Sequence, residues 1–211
     1  ILYYLAENLS ARTVEFTNNL QLLTGRADAQ IEVETSIQRL FFYAAWADKF
    51  DGSARSVPLK AIALVMNEAI GNCGVICDDR YPLLGFISAM APLFATGNRS
   101  IIIPSEPFSP IVTDFYQVLD TSDVPPGTVN ILTGKHTDLA LELASHMDIE
   151  SVWSFSTSDV SRDIEKASVS NLKRTWVSNG EKRDWYNEES QGKQFLTNST
   201  ENKTIWIPYG E

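Results

Sequence analysis

Two cysteines and two histidines are the side chains best suited to nucleophilic or metal chemistry in this chain. Cys73 and Cys77 stand in the apolar stretch Cys73-Gly74-Val75-Ile76-Cys77, which reads as a β-strand. A disulfide between them would need a tight turn there, so both thiols are expected reduced and buried, as suits a cytoplasmic protein. Zinc would need a second ligand pair, and His136 and His146 are far from the cysteines in sequence. No metal is expected. A thiol inside a core strand is also a poor nucleophile, because reactivity belongs to the thiolate.

Charge excludes further chemistries. The chain of 211 residues carries 27 acidic and 17 basic residues, a net charge of −10. Lys173, Arg174, Lys182 and Arg183 are scattered among acids rather than gathered into the basic stripe that phosphate contacts require. Neither nucleic acid nor an anionic membrane surface is an expected partner. The longest apolar run falls short of a bilayer span, and no basic-then-apolar leader is visible. The first residue is Ile1, which points to a piece of a longer polypeptide. Four N-x-S/T sequons, at Asn8, Asn98, Asn198 and Asn202, read as chance in an Asn/Ser/Thr-rich chain.

The elements that would position these residues show in the apolar periodicity. Residues 1–24 predict one or two amphipathic helices. Ile37, Leu40, Phe41, Ala44, Ala45 and Trp46 form a second helical stripe, which Asp51-Gly52 would end in a left-handed cap. Residues 52–58 read as a turn and 60–69 as a strand, though propensity leaves a helix open there. Strands over 73–77, 99–103, 129–132 and 151–155 then alternate with helices over 82–95, 110–119, 137–146 and 159–169. Such alternation predicts βαβ units and a parallel sheet, an α/β Rossmann-like layer flanked by helices. Residues 181–204 are polar and without period, and 204–209 form a short apolar strand that needs a partner in this chain or a neighbouring one. The expected organisation is a domain over 1–180 and a polar tail over 181–211, ending in a strand suited to oligomerisation or interdomain contact.

Several stretches resemble the aldehyde dehydrogenase superfamily, and the likeness spans residues 1 to about 178. Arg39-Leu40-Phe41-Phe42-Tyr43-Ala44-Ala45-Trp46-Ala47-Asp48-Lys49 is similar to a family helix ending in Y-A-G-W-A-D-K. Pro92-Leu93-Phe94-Ala95-Thr96-Gly97-Asn98 resembles P-A-L-A-A-G-N, and the ten residues from Pro125 to Gly134 resemble P-P-G-V-V-N-I-V-T-G. Ser170-Asn171-Leu172-Lys173-Arg174 is similar to the stretch before the family's E-L-G-G. The resemblance implies a cofactor-binding Rossmann domain with a small β oligomerisation hairpin, expected near residues 58–70.

At the positions where that family does its chemistry, the residues differ. The family's T-P-W-N-F-P supplies an Asn amide to the oxyanion; here the run is Cys77-Asp78-Asp79-Arg80-Tyr81-Pro82, and a long Arg between acids does not reproduce that geometry. The family's K-P-A/S-E binds the adenosine ribose through Lys and Glu; here it is Ile103-Pro104-Ser105-Glu106, and only Glu106 remains. The family's F-T-G-S-T-E-V-G brings backbone amides to the pyrophosphate. Here Ser156 and Ser161 replace both glycines, which opposes close backbone approach. Thr157 is expected to be a helix N-cap rather than an anion contact. Ser178 stands at the family's general-base Glu and cannot act as that base. No Cys follows Cys77, so the nucleophile and its domain are missing.

The resemblance therefore implies no catalytic, cofactor-binding or metal residue in this chain and no bound cofactor. It is nearest to the non-catalytic C-terminal domain of aldehyde dehydrogenase family 16, whose ending is similar to residues 203–211 here. The implied role is a structural or oligomerisation module of a larger enzyme. The implied partners are the catalytic aldehyde dehydrogenase unit of the same polypeptide and a second copy in a homodimer. The other enzyme-related reading is an NAD-binding fragment of an active NAD-dependent aldehyde dehydrogenase, with Glu106 its one retained polar support. A third is a scaffold protein using Trp185, Tyr186 and Trp206 as a partner surface; those aromatics could equally pack internally.

Overall fold

The computed structural model describes residues 1–209. Three helices open the chain: α1 (Leu2–Ala11), α2 (Thr13–Thr24) and α3 (Ala29–Trp46). Strands β1 (Ser53–Ser56), β2 (Ala61–Ala69) and β3 (Asn72–Ile76) follow. Next come α4 (Pro82–Ala95), β4 (Arg99–Ile103), α5 (Pro110–Asp114), α6 (Tyr116–Asp120), β5 (Val129–Ile131) and α7 (His136–Ser145). The chain closes with β6 (Ser151–Ser154), α8 (Ser158–Ser168), β7 (Arg174–Val177), a 3-10 turn (Glu188–Ser190), α9 (Lys193–Asn198) and β8 (Thr200–Pro208).

The expected α/β architecture is present. Five parallel strands run in the order β5-β4-β3-β6-β7. Period-two alternation sends Cys73, Val75, Ile102 and Trp153 into one core with α1 to α4. It sends Ile76, Ile103 and Val152 into a second core under α7 and α8. All four β6 residues are buried, as expected of a parallel strand covered on both faces. A Cβ on Gly74 would lie 2.9 Å from a Leu143 methyl, so its missing side chain lets α7 close on the sheet.

Helix α4 is buried almost throughout and has no cap on its own chain start. The cap comes from α3: Glu32 Oε1 accepts Leu83 N–H at 3.0 Å and Leu84 N–H at 3.1 Å. Arg26 holds the other carboxylate oxygen at 2.7 Å. One side chain thus joins α3 and the loop before it to the helix after β3.

A second, antiparallel sheet has the order β1-β2-β8, with Ile62 opposite Ile207 and Ala69 opposite Thr200. It realises the strand expected over 60–69 and partners the terminal strand within this chain. No helix among the described residues is long and apolar enough to cross a membrane.

Four expectations are corrected. The third helix ends at Trp46, with Ala47 as a right-handed cap. Gly52 instead serves close packing, since a Cβ there would lie 1.8 Å from Val65 O. Residues 53–56 are strand β1 rather than turn, because β2 offers them a paired edge. The helix over 110–119 is two short helices meeting at Phe115, whose ring is buried against Phe16 and Phe86 at centroid distances of 6.3 and 5.6 Å. Finally, residues 174–177 add a fifth parallel strand; as an edge strand it is half-exposed and shows no apolar run.

Candidate functional site

Strand order reverses direction between β3 and β6. In open α/β sheets the crevice beyond the carboxyl ends at such a switch point is the usual ligand site. Here it is formed by residues 77–81 after β3 and 155–157 after β6, with a cleft of about 160 Å³ between them.

Asp78 is 5% exposed and fully engaged. Its carboxylate accepts the Arg80 amide at 2.8 Å, the Arg80 guanidinium through Nε at 3.1 Å and through Nη2, and the Trp185 indole N–H at 3.0 Å. Arg80, at the position of the family's oxyanion donor, is therefore folded back onto its own loop. It also donates to Arg183 O at 3.1 Å. Asp79 Oδ1 accepts Glu106 N–H at 2.7 Å, tying the loop after β3 to the loop after β4.

Glu106 is equally committed. Its Oε2 accepts the His136 N–H at 2.9 Å and caps α7. The His136 ring bridges Pro104 O at 2.7 Å and the Ser156 hydroxyl at 3.2 Å. That network assigns the proton to Nε2 and leaves Nδ1 to accept from Ser156.

Thr157 is the N-cap of α8, its hydroxyl accepting Val160 N–H at 3.4 Å, as expected. Ser161 Oγ is buried without a hydrogen-bond partner. The Ser178 hydroxyl donates to Ser156 O at 3.3 Å. Cys73 and Cys77 are free and buried. Burial pushes the Cys73 thiol up to about 12 and Cys77 higher still, so neither offers a thiolate. No group of three metal-ligating side chains occurs among the described residues.

The polar tail is the feature that sequence reasoning missed. Trp185, for which a partner surface and internal packing both stood open, packs internally: it is fully buried against Phe155 and Phe195, at centroid distances of 5.0 and 6.4 Å. Tyr186 is half-buried and bonds Asp28 and Arg26 at 3.0 and 3.2 Å; Trp206 remains exposed. Arg39, buried on α3 without a carboxylate partner among the described residues, donates to Trp185 O at 2.8 Å, to Ser190 O, and to the Ser88 hydroxyl at 2.8 Å. Its position within the apolar stripe of α3 was the available signal. An Arg there must find buried acceptors.

Comparison with known proteins places this geometry. The model of the aldehyde dehydrogenase family matches residues 1–186. Omega-crystallin of Enteroctopus dofleini is 32% identical over 178 residues, which cover 82% of this chain and 36% of that protein. Retinal dehydrogenase 2 of Mus musculus is 33% identical over 153 residues, covering 72% of this chain and 30% of that protein. The chain thus spans about a third of the length of these curated relatives. Among solved structures, PnpE from Pseudomonas sp. WBC-3 superposes with a TM-score of 0.80 at 27% identity, over 83% of this chain and 37% of PnpE.

Proposed function

The chain belongs to the aldehyde dehydrogenase family, and from that premise we propose that it is a catalytically inactive domain serving as a structural and oligomerisation module of a larger aldehyde dehydrogenase. The observation that carries this reading is the commitment of the switch-point residues to the fold. Asp78 is spent on Arg80 and Trp185, Asp79 on the loop after β4, and Glu106 on the start of α7. An incoming pyrophosphate would meet three acids in the wall of the crevice, Asp78, Asp79 and Glu181, against Arg80 and Lys182. Ser156 puts a side chain into the crevice where close backbone approach calls for glycine. These residues do not fit a dinucleotide.

Support for the module role comes from the three-stranded sheet. Ile62, Met66, Ile205, Trp206 and Ile207 are exposed on it, and β8 is an edge strand among the described residues. Exposed edges and apolar faces of this kind favour pairing with another chain. The proposed partners are the catalytic unit of the same polypeptide and a second copy of this domain. The nearest branch in this reading is the C-terminal domain of aldehyde dehydrogenase family 16.

A second reading is an NAD-binding fragment of an active enzyme. It draws on the intact parallel sheet, on Glu106, and on PnpE, which has been crystallised in complex with nicotinamide adenine dinucleotide. Calorimetric titration of the chain with NAD separates the two, with molar mass by light scattering alongside. Absence of heat at millimolar NAD together with a dimeric mass is the expected result. Micromolar binding would overturn the module reading in favour of the fragment.

A further inference from the structure

A cleft of about 440 Å³ lies beside the switch point, between the end of β7, the turn at residues 179–180, the 3-10 turn and α9. Its volume falls within the range of small-molecule sites. Arg183 forms part of its wall. The guanidinium carbon sits 5.4–5.8 Å from the ring centroids of Phe155, Trp176, Trp185 and Phe195. Those rings strip water from one side of the cation, and burial lowers its pKa.

The guanidinium has five N–H donors. It spends one, on Glu189 O at 3.3 Å, and forms no ion pair with a described residue. The side-chain amides of Asn179 and Gln194 line the same cleft and have no described hydrogen-bond partner. Glu181, Asp184 and Glu189 stand around the opening with Lys182, so charged residues of the lining number three acids against two bases.

We propose that this cleft binds a small zwitterionic carboxylate of the α-amino acid type. The ligand's carboxylate pairs with the free edge of Arg183, a geometry that suits bidentate hydrogen bonding. Its ammonium faces Glu181 and Glu189. A phosphate dianion would gain the same guanidinium but meet three carboxylates, and a simple cation would gain the acids but meet Arg183. Only a ligand carrying both charges satisfies both sets. The cleft shares Phe155, Glu181 and Lys182 with the switch-point crevice, but its anchor Arg183 lies outside that crevice and the proposal uses no residue that caps α7 or α8.

The test titrates the full chain with glycine, L-glutamine and L-phenylalanine, following fluorescence of the tryptophans beside Arg183. Acetate, ethylammonium and inorganic phosphate serve as single-charge and dianion probes. At least one amino acid is expected to give a saturable change, with each of the three other probes at least about tenfold weaker. Arg183→Gln should abolish the response. The double variant Glu181→Gln/Glu189→Gln, altered at exposed carboxylates, should weaken it several-fold with an unchanged unfolding midpoint, which keeps the test decisive if Arg183→Gln does not fold. No saturable response to any amino acid at millimolar concentration overturns the proposal. So does equal binding of phosphate, acetate or ethylammonium, or undiminished binding by the double variant.

Discussion

Replacing Trp185 with Ala should destabilise the whole chain, not merely loosen its tail. The indole is fully buried, packs on Phe155 and Phe195, and gives its N–H to Asp78 at 3.0 Å. Truncating a buried Trp to Ala costs about 3–5 kcal/mol. Losing one donor to a buried carboxylate that keeps Arg80 adds about 1 kcal/mol. The sum, about 5 kcal/mol, corresponds to a fall in Tm of roughly 10–20 °C for a chain of this length. Trp185→Phe keeps an aromatic ring and loses the donor, so a drop of only about 2–6 °C is expected. Thermal unfolding followed by far-UV and near-UV circular dichroism reads both variants, and limited trypsin digestion reports on Lys182 and Arg183. Coincident far- and near-UV transitions shifted together are the expected result. If the far-UV midpoint of Trp185→Ala stays within about 3 °C while trypsin cuts at Lys182 or Arg183, the packing argument fails and the tail is a separable appendage.

Two further outcomes follow from the packing. Glu32→Ala removes the cap of α4 and the partner of Arg26, and should cost about 2–4 kcal/mol in urea unfolding, whereas Glu32→Gln keeps an acceptor for the two amides and should cost less; equal losses would assign the effect to the ion pair alone. Burial raises the Cys73 thiol from 9.0 to about 12, so the unfolded chain loses this proton first, and the stability it contributes is complete below 9.0 and lost as pH climbs toward about 12. Cys73→Ala should flatten the decline measured between pH 8 and 10.5, and an unchanged slope would count against burial as its cause.

The parallel sheet was legible because its strands are covered on both faces and show as short apolar runs. β3, β4, β5 and β6 could be read that way, but β7 could not, since Arg174-Thr175-Trp176-Val177 opens on two exposed polar residues and offers no apolar run. The helix end near Gly52 was misread because a glycine serves two purposes that sequence does not separate: a left-handed φ, as Gly25 has at 68°, and a close approach of backbones, as Gly52 has to Val65. The tail was opaque for another reason. Its burial depends on polar partners 103 to 160 residues away in sequence, Asp78, Arg80, Arg39 and Arg26 among them, and no local period encodes those pairings. Asn98 shows the same effect: it lies in a sequon, yet it is buried and binds Ser199 O at 2.8 Å, joining the end of α4 to the start of β8.

The switch point and the tail are energetically coupled. Arg80 donates to Arg183 O, Asp78 accepts from Trp185, and Arg39 reaches Trp185 O and Ser190 O, so residues 183–190 are held by the loop that follows β3 and by the helix beneath it. In the proposed module reading, a dinucleotide entering the crevice meets Asp78 and Arg80, which line it, and displaces their contacts with the tail. Each buried group left unpaired in doing so costs about 1–3 kcal/mol. Three such groups would cancel most of the free energy of a micromolar complex, about 8 kcal/mol. Restoring glycine at Ser156 and Ser161 would therefore leave the obstacle in place. In the same proposed reading, Asp78 and Arg80 both line the crevice and fasten residues 183–190 to the sheet, so a variant remodelled there to accept NAD would give up part of its own stability.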